Sequence, residues 1–259
     1  MSGLLSERVA IVTGAGGGIG GAIASAFAEN GAHVIVADLA GQDEMAGRIA
    51  GMGQSVQAMD LDVSRQDSIN RLTQAVLDRH GRIDILVNAA GRFDATAITD
   101  VCHADWQRIF DVNVFGLAAM SQAVIPSMTA QGSGRIINLA SIGGRRADEK
   151  TIVYSASKAA VISITQAMAL AFAKQGVRVN AIAPGPVRSG LWAELDRDFS
   201  RRYLQADPGA FTALAEAATP TGAIASPEDI AGTALFLASS ASNHVVGQTI
   251  NVDGGVLLS

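Results

Sequence analysis

Cysteine is nearly absent: Cys102 stands alone, so no disulfide can close within the chain. Nothing in that thiol content points to secretion. Cys102 also lacks a partnered base in the sequence pattern, so a packing role is expected rather than a nucleophilic one. The chain is poor in charge, with 17% Asp, Glu, Lys and Arg, and its net charge of −5 carries no basic excess. A nucleic-acid partner is therefore excluded, because phosphate binding needs a basic surface. Arg145-Arg146 and Arg201-Arg202 are isolated basic pairs, too few to change this. His33, His80, His103 and His244 are scattered, without Cys or carboxylates at ligand spacing, so no metal is expected. Long uninterrupted apolar runs are missing as well. Val112–Gly134 and Ile230–Val252 have no Asp, Glu, Lys or Arg. Yet Asn113, Ser121, Gln122 and Pro126 interrupt the first, and Ser239, Ser240, Asn243, His244 and Gln248 the second, so no membrane span is expected. Met1–Arg8 has no basic segment followed by an apolar one, so no signal peptide is expected and a cytoplasmic location is.

What the chain has in quantity is glycine, 28 of 259 residues, and a hydrophobic share of 49%. Tight turns and a sheet covered on both faces follow from that combination. Short β-branched runs alternate with longer Ala-rich ones. The pattern predicts strands at Val9–Thr13, His33–Asp38, Val56–Asp62, Ile83–Asn88, Arg135–Ser141, Arg178–Ala183 and Thr249–Val252. It predicts helices at Ile19–Asn30, Gln42–Gly51, Gln66–His80, Trp106–Ala130, Val153–Lys174 and Pro227–Ser239. Strand–helix alternation of this kind gives a seven-stranded parallel, doubly wound α/β sheet. No linker or repeat interrupts it, so residues 1–259 are expected to form one domain. Pro186–Gly222 breaks the rhythm with two short helical patterns, Leu191–Leu204 and Phe211–Ala218. An excursion at a strand's C-terminal end lies where such sheets bind ligands, and a lid at about 186–222 is expected.

Two motifs carry chemistry. Thr13-Gly14-Ala15-Gly16-Gly17-Gly18-Ile19-Gly20 links the first strand to the first helix. Glycines there let the backbone meet a pyrophosphate at the free N–H groups of the helix start. Asp38, 18 residues after Gly20, sits where an acid would bind the adenosine ribose hydroxyls. Its charge disfavours a 2′-phosphate, and neither Gly17 nor Leu39 supplies an offsetting cation, so NAD is expected over NADP. Asp62-Val63 and Asn88-Ala89-Ala90-Gly91 end the third and fourth strands on the same edge. Asp62 could accept from the adenine amino group, Val63 could pack on its ring, and Ala89, Ala90 and Gly91 leave room for a close backbone approach. The second motif is Tyr154-Ser155-Ala156-Ser157-Lys158. On a helix the phenol and the ammonium lie on one face. The cation would lower the phenol's pKa from about 10 toward neutrality, which makes an acid/base.

Together these residues, with Asn113, Ser141 and Pro184-Gly185, resemble the short-chain dehydrogenase/reductase family over the whole length. The resemblance implies a single Rossmann-type three-layer sandwich. It implies Tyr154 as acid/base, Lys158 as its partner and as a ligand of the nicotinamide ribose, and Ser141 as a hydrogen-bond donor to the substrate oxygen. It implies that Asn113 holds a water joining Lys158 to solvent. Cofactor contacts follow for Gly14, Gly16, Gly17, Gly18, Ile19, Gly20, Asp38, Leu39, Asp62, Val63, Asn88, Ala89, Ala90, Gly91, Pro184, Gly185, Val187 and Ser189. Ser189 stands where many members have Thr, and Ala89 where many have Asn. The segments Gly144-Arg145-Arg146, Lys158–Ser163, Val179–Gly185 and Asn251–Gly255 are similar to bacterial NAD-dependent polyol dehydrogenases of the sorbitol/galactitol type. A polyol or related secondary alcohol is the expected substrate, met by Ser141, Gly143, Arg145, Glu149, Tyr154 and Trp192. Members similar to this chain are often homotetramers. The alternatives are a 3-oxoacyl-thioester reductase of the same family and a catalytically silent nucleotide-binding regulator.

Overall fold

A computed structural model describes residues 3–258. Seven strands form one parallel sheet: β1 (Val9–Thr13), β2 (His33–Asp38), β3 (Val56–Asp60), β4 (Ile85–Asn88), β5 (Gly134–Leu139), β6 (Val177–Pro184) and β7 (Thr249–Val252). Their order is β3-β2-β1-β4-β5-β6-β7, the doubly wound arrangement, with the reversal between β1 and β4. Strand period explains the layering. Ala10 and Val12 of β1 join Val34, Val36, Ile85 and Val87 on one face. That face is covered by α1 (Gly18–Glu29), α2 (Gln42–Gly51) and α9 (Pro227–Ala238). Val9 and Ile11 point the other way with Ile35, Leu86 and Ile136, under α3 (Gln66–His80), α5 (Leu117–Gln131) and α6 (Ile152–Phe172).

Three of the differences from the sequence reading move residues named there for the site. β3 stops at Asp60, so Asp62 and Val63 lie in the following loop, where Asp62 Oδ1 accepts the Ser64 N–H (2.9 Å) and hydroxyl (2.6 Å). That local turn offers the backbone an alternative to the sheet ladder. β5 ends at Leu139, leaving Ser141 two residues beyond it as the cap of a 3₁₀ turn, Ile142–Gly144. The single helix expected over Trp106–Ala130 is α4 (His103–Phe110), a π-helical segment Asp111–Gly116, and α5. The π segment carries an extra residue per turn and rotates Asn113 inward. Cys102, expected to pack, is instead exposed at the N-cap of α4. The excursion after β6 folds into α7 (Gly190–Phe199), a π-helical turn Ser200–Leu204 and α8 (Ala210–Ala218). Asp196, buried in it, accepts the N–H groups of Gly209 (2.5 Å) and Thr212 (2.7 Å), which ties α7 to the start of α8.

Two histidines that look distant in sequence meet: the His33 and His80 rings lie 4.2 Å apart, centroid to centroid. The runs His103–Gln131 and Ile152–Gln175 are long and apolar enough to cross a membrane by length and composition. Here they pack along the sheet, and each leaves an apolar outer face, with Phe115 and Leu170 exposed.

At the N-terminal ends of the strands, Asp84 ties the starts of β1 and β4 together. Its carboxylate accepts from Arg8 (2.9 Å), from Arg82 (2.8 and 2.6 Å) and from the Val9 N–H (3.0 Å). Burial pushes this carboxyl up, but Arg82, Val9 and Arg8 together hold it below the usual carboxylate range. Asp84→Ala strands the Val9 N–H and removes the anchor of two guanidinium groups, and is expected to cost about 2–4 kcal/mol. Urea denaturation at pH 7 measures this; a loss below about 0.5 kcal/mol would show the cluster to be ornamental.

Candidate active site

The glycine loop is shaped by close backbone approach. Gly14 has φ +67°, and a Cβ there would lie 2.6 Å from the Ala90 backbone. A Cβ at Gly16 would lie 2.0 Å from the Ala40 carbonyl oxygen. Neither position admits a side chain. Gly17, by contrast, faces open space, with nothing within 4 Å of its notional Cβ, at the N-terminus of α1. A cradle of free N–H groups with an open front fits the pyrophosphate of a dinucleotide. Asp38 closes its side: one carboxylate oxygen accepts the Gly16 N–H (2.8 Å), the other the Leu39 N–H (2.7 Å). Leu39 itself is exposed. Thr13 Oγ1 accepts the N–H groups of Ala89 (3.2 Å) and Ala90 (3.1 Å), fixing the β4 loop beside the cradle. Ser189 caps α7, and its Cβ lies 3.8 Å from where a Cβ on Gly18 would stand, so α7 starts directly across from the glycine loop.

Some expected cofactor contacts are turned elsewhere. Asn88 points into the core, donating to Asn138 (2.9 Å) and Ser121 (3.1 Å), because a buried amide must find partners. Its contribution to the sheet edge is therefore positional. Val63 is buried, and its side chain would lie 2.9 Å from a Cβ at Gly116, so it packs on the π segment. Pro184 ends β6; Gly185 donates to the Val252 carbonyl (3.0 Å), and Val187 pairs with Ala225 as an isolated bridge. This fixes the chain path leading into α7.

The second motif folds as its spacing requires. Tyr154 and Lys158 lie one turn apart on α6, and the ammonium sits 5.7 Å from the phenol ring centroid. Lys158 is 5% exposed and donates to the Leu139 carbonyl at 2.7 Å. Burial lowers its pKa to about 8. The phenol differs from expectation: burial raises the Tyr154 pKa, and a hydrogen bond with Ser141 offsets that only in part. In the protein alone, desolvation of the phenolate is the dominant influence on it. Ser141 also accepts the Gly143 N–H at 3.1 Å, which fixes its hydroxyl. A methyl at Gly143 would lie 3.4 Å from Ser141 Oγ and 3.7 Å from the Tyr154 ring, so Gly143 borders the same spot. Asn113 is buried and fully engaged: Oδ1 accepts the Arg92 N–H (2.7 Å), and Nδ2 donates to the Arg92 carbonyl (2.9 Å) and Ser157 Oγ (3.0 Å). It clamps the β4 loop to α6. A methyl at Gly91 would lie 3.5 Å from Asn113 Oδ1 and 3.7 Å from Lys158 Nζ, so amide and ammonium border one point.

The expected substrate residues divide. Ser141, Gly143 and Tyr154 converge. Arg145 does not join them, since its guanidinium is held by the Thr249 carbonyl of β7 at 2.5 Å. Glu149 stands in solvent beside Lys150. Trp192 is committed between α7 and α8: Nε1 donates to Thr212 (2.9 Å) and the ring stacks on Phe211. Sequence reasoning misses Phe93, whose ring centroid lies 4.7 Å from that of Tyr154. It also misses a cavity of about 140 Å³ between the β4 loop and α7, lined by Phe93, Leu191, Glu194, Asp198 and Tyr203 among others. Phe93 falls two residues after Gly91, and that proximity to a ligand-edge turn is the one available signal.

A family model described as Enoyl-(Acyl carrier protein) reductase matches residues 14–257. The chain is 42% identical to galactitol 2-dehydrogenase of Agrobacterium fabrum over 98% of its own length and 99% of the relative's. The chain belongs to the short-chain dehydrogenase/reductase family. Within this family it is 41% identical to sorbitol dehydrogenase of Cereibacter sphaeroides, again covering 98% and 99%. Identity to 3-oxoacyl-[acyl-carrier-protein] reductases is 34–36%. A crystal structure from Beutenbergia cavernae, provisionally described as an NAD(P)-dependent gluconate 5-dehydrogenase with NADP at low occupancy, superposes with a TM-score of 0.89. It is 38% identical, and 98% of each chain is covered. The protein is thus an oxidoreductase of a family that binds a nicotinamide cofactor and acts on alcohols.

Lys158 makes the stability of this protein depend on pH. Its charged form is disfavoured in the fold, so between about 8 and the usual 10.5 the unfolded chain binds a proton that the folded chain does not. The penalty is in full force below about pH 8 and gone above 10.5. Lys158→Met removes it. The unfolding free energy of wild type should therefore gain on the variant by about 3 kcal/mol between pH 7.5 and 10.5. Chemical denaturation at the two pH values reads this directly, and a pH-independent difference would contradict a buried, depressed ammonium.

Proposed function

We propose that this chain is an NAD-dependent dehydrogenase that oxidises a secondary alcohol of a polyol to a ketone. The observation that carries it is the convergence of Ser141, Tyr154 and Lys158 at the sheet's C-terminal edge, beside a glycine cradle closed by a carboxylate. A bound nicotinamide supplies the hydride acceptor. Ser141 donates to the substrate oxygen and orients the reacting carbon. Tyr154 takes the hydroxyl proton in oxidation and returns it in reduction. Lys158 supplies positive charge that favours the phenolate, and the Leu139 carbonyl holds it in place. Asn113 keeps the β4 loop docked against α6, so that ammonium and cradle stay in register. The residues from Pro186 to Gly222 act as the lid of this single domain. The exposed apolar faces along α5 and α6 suit burial between subunits of a cytoplasmic homotetramer.

Polyol oxidation is favoured over thioester reduction by the higher identity to the galactitol and sorbitol enzymes. NAD is favoured by Asp38, whose oxygens line the loop where a 2′-phosphate would need a cation. Two measurements test the reading. With both cofactors under matched conditions, kcat/KM should favour NAD⁺ at least tenfold, and Asp38→Ala should narrow the gap; a native preference for NADP⁺ overturns the assignment. Tyr154→Phe should lower kcat with a hexitol by a factor of about 10³ or more while NADH still binds, as fluorescence titration would show. Turnover within tenfold of wild type would remove Tyr154 from the acid/base role.

A further inference from the structure

The cavity under the lid has a chemistry of its own. Phe93 connects it to the site, since its ring packs against Tyr154 and also forms part of the cavity wall. The opposite wall is one face of α7, where Leu191, Glu194, Leu195 and Asp198 fall at helical spacing and Arg202 follows in the next turn. Asp94 also lines it but is already paired with Arg108 and accepts from Thr96 (2.9 Å). Glu194 and Asp198 have no ion-pair partner among the described residues, and they outnumber the single guanidinium of Arg202. The lid is held over this space by Lys150, whose ammonium lies 5.2 Å from the Phe199 ring centroid and 5.1 Å from that of Tyr203.

We propose that α7 makes this pocket selective by charge: Glu194 and Asp198 accept hydrogen bonds from the hydroxyls of an uncharged chain and repel the corresponding carboxylate. Carboxylates are acceptors only, so a hydroxyl-rich chain satisfies them and an anionic chain end cannot. Repulsion adds a further cost to the anion. The same pocket favours a cationic amino alcohol over its neutral analogue. The preference for polyols rests on the function proposed above; the charge selection does not, because it applies to any secondary alcohol long enough to reach α7.

The test compares kcat/KM for a hexitol and for the aldonate of the same chain length, in wild type and in Glu194→Gln/Asp198→Asn. A second pair, a simple hydroxy acid and its amide, is run alongside. Wild type should prefer the neutral member of each pair at least tenfold, and the double variant should shift that ratio at least tenfold toward the anion. Competition of the same compounds for the NADH-loaded protein, read by quenching, should shift in parallel. Salt provides a test that needs no variant, since raising ionic strength should narrow the wild-type ratio by screening these exposed groups. If polyols turn over but the ratio changes less than twofold on substitution and with salt, charge selection is wrong and the polyol reading stands. If no polyol turns over while the hydroxy-acid ratio shifts as stated, the polyol reading fails and charge selection stands.

Discussion

Lys158 carries a positive charge into a place with little water, and what it finds there is the Leu139 carbonyl rather than a carboxylate. That choice governs the chemistry. A carboxylate would neutralise the ammonium; a carbonyl holds it and leaves its charge directed at the phenol one turn away. The arrangement lowers the lysine's own pKa to about 8, so the cation is kept at a cost to the fold. It also leaves Tyr154 protonated in the protein alone, since burial acts on the phenol in the opposite sense. In the proposed acid/base role such a phenol keeps its proton until a further positive charge arrives beside it.

The fold brings these groups together through strand ends. β1 delivers the glycine loop, β2 delivers Asp38, β4 and β5 deliver the loops that carry Gly91 and Ser141, and β6 leads into α7. Polar side chains inside the sandwich set the spacing: Ser121, Asn88, Asn138 and Thr165 form a hydrogen-bonded row from α5 through β4 and β5 to α6. Asn113 adds a second tie, from the π segment to the β4 loop and α6. The helix that carries Tyr154 and Lys158 is thus located by buried amides as well as by apolar packing. Its neighbour across the site, α7, is located mainly by aromatic contacts, by Asp196 and by Lys150.

Much of this is legible in the sequence. The strand and helix alternation, the glycine loop and the Tyr154–Lys158 spacing are all local patterns, and local geometry enforces them. What the sequence does not disclose depends on tertiary contact. Asn88 reads as a sheet-edge ligand because it sits at a strand end, and only the presence of Ser121 and Asn138 turns it inward. Arg145 and Glu149 read as substrate partners by proximity in the chain, yet β7 captures the first and solvent the second. The π segment has no sequence period to announce it. Phe93 and the acidic face of α7 meet only because the excursion after β6 folds back over the β4 loop.

The most direct test is the ionisation of Tyr154 itself. The chain has only two tyrosines, so selective ¹³C labelling at the ring carbon bearing the hydroxyl resolves Tyr154 from Tyr203 by NMR. The phenol should stay protonated well above pH 9 in the protein alone and ionise at markedly lower pH once NAD⁺ is bound, with the drop reduced in Lys158→Met. A titration midpoint that does not move when NAD⁺ binds, or that moves equally without the lysine, would contradict the account.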